Sequence, residues 1–123
     1  MITLLNDYFR IDGRTAENDG TVFRVTLLPE HGVYAGHFPG NPVSPGVCNI
    51  QMIKECAGLL AGKPFFLGYI SQCRLSAVIT PQTTPQLQVR MQLTETDSVY
   101  KVCATVCDDT ITYMEFKGEL TPV

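Results

Sequence analysis

Residues 37–58 constrain the fold more than any other stretch, because they place a rigid loop directly before a helix. The stretch begins HFPGNPVSPG, with three prolines and two glycines in the loop part. Proline fixes φ and removes an N–H, so this segment cannot continue a helix or a strand ladder. From Gly46 to about Gly62 the chain has no proline and is mostly apolar. The sequence therefore predicts a stiff loop that carries His37 to the N-terminus of a helix.

Composition limits the class of protein. The chain has 123 residues, 45% of them apolar and 17% charged, which suits a single domain over residues 1–123 with its own core. The net charge of −3 disfavours general nucleic-acid binding. No apolar run approaches the length of a bilayer, and no signal segment follows Met1, so we expect no membrane contact and a cytoplasmic location.

The five cysteines are odd in number and contain no CxxC pair. This spacing favours small buried side chains in a reducing compartment over a disulfide or zinc framework. Only two histidines are present, without ligand spacing, so we predict no metal site and no cofactor.

The other segments indicate strands. Residues 21–28 form a β-branched and aromatic run, and residues 65–78 predict one long or bent strand, interrupted by Gly68. Residues 87–93 alternate apolar and polar, which is typical of a strand with one buried face. Reversals are expected at residues 97–98 and 108–109. The predicted class is α+β, with one helix laid on an antiparallel sheet of five or six strands.

The helix has two kinds of surface. It is apolar over most of its circumference, which predicts that its surroundings bury it. The polar exceptions lie at helical spacing on one stripe, formed by Gln51, Lys54, Glu55 and Gly58. Such a stripe is either a solvent-facing edge or dimer contact, or the polar wall of an active site. A histidine loop entering the same helix favours the active-site wall.

The segment HFPGNPVSPGV resembles the signature of the FabZ and FabA family of 3-hydroxyacyl-[acyl carrier protein] dehydratases. The later stretch FFLGYISQCRLSAVITPQTTPQLQVRMQL is similar to the family's long strand, turn and following strand. The resemblance covers most of the chain. It implies a hotdog fold, in which a curved antiparallel sheet wraps one long helix. It also implies a homodimer, or a higher oligomer built from dimers, with active sites at the subunit interface.

The chemistry that the resemblance implies is reversible loss of water from a (3R)-3-hydroxyacyl thioester, giving the trans-2-enoyl thioester. Its carrier would be acyl carrier protein or coenzyme A, in fatty acid synthesis or a specialised acyl or polyene pathway. The resemblance makes His37 the base, and histidine suits that role because its pKa lies near the working pH. Gly46 corresponds to the glycine whose N–H polarises the thioester carbonyl. The neighbouring substrate-binding candidates are Phe38, Pro45 and Val47. The acyl-tunnel candidates are Leu59, Phe66 and Leu67, although aromatic and leucine clusters beside a core helix are usually just core.

One position departs from the family pattern. Gln51 stands fourteen residues after His37, where the family has Glu or Asp, and an amide cannot donate a proton as an acid does. Glu55 stands one turn further along, where many FabZ-type members have glutamine. Three interpretations follow: Glu55 supplies the acid with Gln51 orienting it, the site is a hotdog thioesterase, or the protein binds acyl thioesters without turnover. A solvated Glu55 paired with a lysine is the simpler structural alternative.

Overall fold

The computed structural model describes residues 4–17, 20–29, 32 and 44–123. Within these ranges one helix follows two strands and precedes four more. The elements in chain order are β1 Phe9–Glu17, β2 Gly20–Leu27, α1 Gly46–Ala61, β3 Phe65–Leu75, β4 Gln86–Thr96, β5 Val99–Cys107 and β6 Thr112–Pro122. The order of the predicted elements is confirmed.

The six strands form one antiparallel sheet in the order β1-β2-β4-β5-β6-β3. The β4–β5 reversal falls at Asp97 and Ser98, as predicted, with φ of 51° and 67°. Positive φ at both central residues matches the twist of the flanking strands. The β5–β6 connection is longer than predicted, since β6 begins only at Thr112.

β3 lies at one end of the sheet and pairs with β6. Its register shifts between Leu67 and Tyr69, so the pairing is irregular at Gly68, where an interruption was predicted. The strand ends at Leu75, three residues before the predicted limit at Val78. The chain beyond it returns towards the helix, because the Ser44 N–H donates to the Ile79 carbonyl at 2.8 Å.

The core lies between one side of α1 and the inner face of the sheet. From the helix, Met52, Ile53, Cys56 and Ala57 are fully buried. The alternation predicted for β4 is confirmed, since its apolar side chains at 87, 89 and 91 are buried while Arg90 is exposed. Facing residues from the other strands include Phe23, Val25, Val106, Phe116 and Leu120.

Two predictions about burial are wrong. The helix is not enclosed on all sides, since Val47 is 74% exposed and Leu59 46% exposed. The sheet covers one side of a helix, and apolar content alone does not show whether a second surface covers the other. Cys73 and Cys103 are also exposed. Cys103 lies between core-facing neighbours on β5, so strand alternation turns it outward.

The other cysteines follow the prediction more closely. All five are described and none forms a disulfide. Cys56 and Cys107 are buried, and burial raises the pKa of the Cys56 thiol to about 12. This thiol therefore packs as a small neutral side chain. In the part of the chain that the structure describes, no helix is both long and apolar enough to cross a bilayer.

Candidate active site

The predicted base, His37, and its neighbour Phe38 lie outside the described residues. The other predicted site residues all belong to α1, to its N-terminal flank or to β3. All of them except Phe66 and Leu67 fall into two neighbourhoods, one at the start of the helix and one along its polar stripe.

Gly46 is the first residue of α1, and Pro45 precedes it as the N-cap. The Pro45 carbonyl accepts hydrogen bonds at 3.1 Å from the N–H groups of both Cys48 and Asn49. The Gly46 N–H has no acceptor among the described residues, and it lies at the positive end of the helix dipole. A backbone donor in this place can stabilise an oxyanion.

Position 46 favours glycine because there is little space for a side chain, and not because of its backbone conformation. Gly46 does not have a positive φ, so any residue could adopt its backbone. A side chain would meet Leu75, whose Cδ1 would lie 3.3 Å from an added Cβ. The helix start opens on a cavity of about 370 Å³ that is lined in part by Ser44, Gly46, Asn49 and Leu75. The absence of a side chain at Gly46 therefore leaves space for this cavity at the start of the helix.

Behind Gly46 lies a buried polar network that sequence reasoning missed. Its members are Tyr8, Ser44 and Asn49, which are 0%, 7% and 2% exposed. The Tyr8 hydroxyl contacts the Ser44 hydroxyl and lies 2.9 Å from Asn49 Oδ1. Ser44 Oγ lies 2.8 Å from the same Oδ1. No sequence signal joins Tyr8 to the helix start, because the two are far apart in the chain.

On the polar stripe, Gln51 and Glu55 form a hydrogen bond, in which Gln51 Nε2 donates to Glu55 Oε2 at 2.8 Å. The backbone N–H of Leu4 donates to Glu55 Oε2 at 2.8 Å, and that of Leu5 donates to Oε1 at 3.0 Å. Glu55 therefore holds the N-terminal turn, residues 4–8, on the helix. Among the described residues no lysine forms an ion pair with Glu55.

The predicted stripe does form one wall of a cleft, of about 450 Å³. The cleft is lined by Leu5, Gln51, Lys54, Glu55, Gly58, Leu59, Gly62, Lys63, Pro64 and Phe65. Of the three acyl-tunnel candidates only Leu59 belongs to it. Phe66 is 62% exposed, Leu67 packs against the core, and Phe65 lines the cleft instead.

Lys63 lies at the far end of this cleft, away from Gln51. Its Nζ donates to the Tyr100 hydroxyl at 3.0 Å and lies 5.2 Å from the Tyr100 ring centroid. The hydrogen bond to Tyr100 raises the pKa of Lys63, so the ammonium stays charged. Tyr100 in turn packs on Phe65, with ring centroids 4.8 Å apart.

Comparison with known proteins identifies the family. Residues 13–113 match the family model described as ApeI-like, ApeI dehydratase. The chain belongs to this family. The match spans β1 to the start of β6 and therefore includes the whole of the helix and the residues that precede it from His37.

Curated relatives agree with the family and with the resemblance seen in the sequence. The chain is 34% identical, over 86 residues, to the 3-hydroxyacyl-[acyl-carrier-protein] dehydratase FabZ of Lactobacillus helveticus, covering 63% of this chain and 57% of that protein. It is 37% identical over 65 residues to the FabZ of Lactiplantibacillus plantarum, covering 47% of this chain and 44% of that one. The chain thus spans about half the length of these curated relatives.

A solved structure shows the same fold. The dehydratase heterocomplex ApeI:P from Xenorhabdus doucetiae superposes with a TM-score of 0.71 at 19% identity, covering 90% of this chain and 96% of that chain. The predicted hotdog fold of this ApeI-like protein is therefore confirmed.

Proposed function

We propose that this ApeI-like protein catalyses reversible dehydration of a (3R)-3-hydroxyacyl thioester to the trans-2-enoyl thioester. The observation that carries the proposal is the start of α1. There the Gly46 N–H has no acceptor among the described residues, and Gly46 lines a cavity. His37 stands nine residues earlier in the sequence.

In the proposed mechanism His37 removes a proton from the α-carbon of the substrate. The electron pair moves towards the thioester oxygen, where the Gly46 N–H and the helix dipole stabilise the developing charge. The bond from the β-carbon to its hydroxyl then breaks. The hydroxyl leaves as water, with a proton from the acid.

The acid in this proposal is Glu55, with Gln51 orienting it. Gln51 stands at the family's acid position, and its hydrogen bond of 2.8 Å joins it to Glu55, the only carboxylate on the polar stripe. The Gln51 amide keeps its carbonyl and a second N–H for the substrate hydroxyl or for a water. The neighbouring cleft, lined by Leu59 and Phe65, would take the acyl chain.

The name of the FabZ relatives supports acyl carrier protein as the carrier, with coenzyme A as the alternative. Exposed apolar side chains, including Val47 on α1 and Phe66 on β3, support assembly as a homodimer or an oligomer of dimers. We place the protein in the cytoplasm, in fatty acid or specialised acyl synthesis.

The test is hydration of a crotonyl thioester, on acyl carrier protein and on coenzyme A, with release of free thiol followed in parallel. We expect His37→Ala to lower kcat by about 10²–10⁴-fold and Glu55→Gln by about 10²-fold, the range for loss of a general base or acid. Gln51→Glu restores the family acid and should rescue Glu55→Gln. The matched control is Glu17→Gln, an exposed carboxylate that pairs with Arg90 on the sheet.

A second candidate is binding of acyl thioesters without turnover. Both Glu55 oxygens already accept hydrogen bonds, from two backbone N–H groups and from Gln51, which favours a structural role for this carboxylate. Tight binding of crotonyl-acyl carrier protein without hydration would support this candidate and overturn the dehydratase. Thiol release from the wild type would instead indicate a thioesterase.

A further inference from the structure

We propose that Tyr8, Ser44 and Asn49 form a positioning network that holds the Gly46 N–H in the direction needed for the substrate carbonyl. The inference rests on the proposed function, because it assigns to a buried network the alignment of the proposed oxyanion donor. None of the three residues is placed in contact with the reacting atoms.

The hydrogen bonds of the network converge on the side chain of Asn49. Three oxygens approach one another pairwise, namely Tyr8 Oη, Ser44 Oγ and Asn49 Oδ1. Only two protons are available for these contacts, one from each hydroxyl. Both hydroxyls can donate to Asn49 Oδ1, whose two lone pairs accept them, and the two hydroxyl oxygens also contact each other. Removal of any member therefore removes a buried hydrogen bond from the network.

The start of the helix depends on this network because it has no local substitute. The N-cap is Pro45, which makes no side-chain capping bond. Ser44, immediately before it, is held by its backbone bond to the Ile79 carbonyl at 2.8 Å and by the network. Asn49 is held about one turn into the helix. Gly46 thus lies between two residues that the same network fixes.

Tyr8 connects the helix start to the sheet. Its carbonyl accepts a hydrogen bond from the Leu28 N–H at 2.9 Å, at the end of β2, and its ring is fully buried. The Tyr8 hydroxyl therefore has a fixed position relative to the strands. Through Ser44 and Asn49 it transmits that position to the first turn of α1.

Alignment of an oxyanion donor has a steep effect on rate, since a displacement of about 1 Å can cost about 10²-fold. We expect the loss of one hydroxyl from the network to displace the donor by less than about 1 Å. We therefore expect Tyr8→Phe and Ser44→Ala to lower kcat about tenfold with little change in KM. Ser44→Thr keeps a hydroxyl and should recover most of the loss.

The matched control is Thr26→Val. It also removes one nearly buried hydroxyl, 9% exposed, which donates to Asp12 Oδ2 at 2.5 Å. Thr26 lies on β2 and its acceptor Asp12 lies on β1, so this hydrogen bond is away from the helix. The control should lower the midpoint of urea denaturation to a similar extent while kcat stays at the wild-type value. A purely structural role for the network would make all these variants behave alike.

A second readout does not need activity. We would measure ¹⁵N relaxation order parameters for the Gly46 and Val47 amides, which should be about 0.85 in the wild type if the helix start is rigid. We expect lower values in Tyr8→Phe and Ser44→Ala, and wild-type values in Thr26→Val and Ser44→Thr.

The two proposals fail in different ways. Unchanged order parameters and unchanged kcat in Tyr8→Phe and Ser44→Ala would overturn the positioning network and leave the dehydratase intact. Absence of hydration by the wild type would overturn the proposed function. Lower order parameters in that case would show that the network holds Gly46 for binding, and unchanged ones would overturn both proposals.

Discussion

The two ends of α1 are held in opposite ways. At the C-terminus Gly62 adopts φ of 74°, and the N–H groups of Gly62 and Lys63 donate to the Gly58 carbonyl at 2.8 Å and 3.1 Å. Every partner there lies within a few residues. At the N-terminus no side chain caps the helix, and the holding contacts come from Tyr8 and from Ile79.

This difference indicates which end of α1 is more sensitive to substitution. A locally closed helix end loses only its own bonds when it is altered. An end held by distant residues loses its orientation relative to the sheet, and in this protein that end presents the proposed oxyanion donor. We therefore expect disturbance of the N-terminal end to reach further than disturbance of the C-terminal end.

The largest effect is expected from Asn49→Ala. The change removes the acceptor of the buried Ser44 hydroxyl and opens space at a site that is 2% exposed. We expect the free energy of unfolding to fall by about 3 kcal/mol, measured by urea denaturation. The control is Gln82→Ala, an exposed residue in the link between β3 and β4. A loss as small as that of the control would contradict the network.

Glu55→Gln should have the next largest effect on stability. In glutamine only one of the two terminal atoms accepts, so either the Leu4 or the Leu5 N–H loses the oxygen that it now contacts. We expect a loss of about 1–2 kcal/mol and faster amide hydrogen exchange at Leu4 and Leu5, followed by NMR. Exchange that stays slow at both amides would show that the carboxylate does not hold the N-terminal turn.

A smaller effect is expected at the other end of the helix, from Gly62→Ala. An added Cβ meets nothing within 4 Å, so the cost comes from the left-handed backbone alone. We expect a loss of about 1 kcal/mol, less for Gly62→Asn, because asparagine tolerates this conformation better. The order parameters of the Gly46 amide should not change. If they fell, the two ends would not be independent.

The smallest effect concerns the β5–β6 turn, which is also closed locally. The Tyr113 hydroxyl, at 2.5 Å, and the N–H groups of Thr110 and Ile111 donate to Asp108 and lower the pKa of its carboxyl from 3.8 to about 2. A depressed pKa in the folded state means that the stabilising contribution is complete above pH 3.8 and is lost as the pH falls towards 2.

Asp108→Asn should therefore flatten the dependence of stability on pH between about pH 4 and pH 2. The measurement is urea denaturation across that range, and the control is Asp109→Asn at the neighbouring position. Parallel pH dependence in the wild type and Asp108→Asn would contradict the role of this carboxyl.

Much of the fold was predictable because its signals are local. The prolines before Gly46 and the glycine at 62 mark the limits of α1, and the alternation at residues 87–93 predicts the buried face of β4. Asp97 and Ser98 mark a tight turn. The polar stripe of Gln51 and Glu55 was also predictable, because helical spacing puts these side chains on one face.

Exposure was less predictable. Val47 and Leu59 are as apolar as the buried helix residues, yet they lie on the side of α1 that the sheet does not cover. Hydrophobicity shows that a side chain favours burial, but it does not show which surface is available to bury it. The choice of Phe65 over Phe66 for the cleft depends in the same way on the direction in which β3 presents its faces.

The sequence by itself determined the helix and its limits, the antiparallel strands, and the family motif that joins His37 to Gly46. Each of these depends on neighbours in the chain, through dihedral preference or periodicity. Only the tertiary structure decided that Tyr8 meets Ser44 and Asn49, and that the amides of Leu4 and Leu5 bind Glu55. These contacts join residues that are 36 and 50 or more positions apart. Local preferences carry no information about such pairs, because packing of the whole core brings them together.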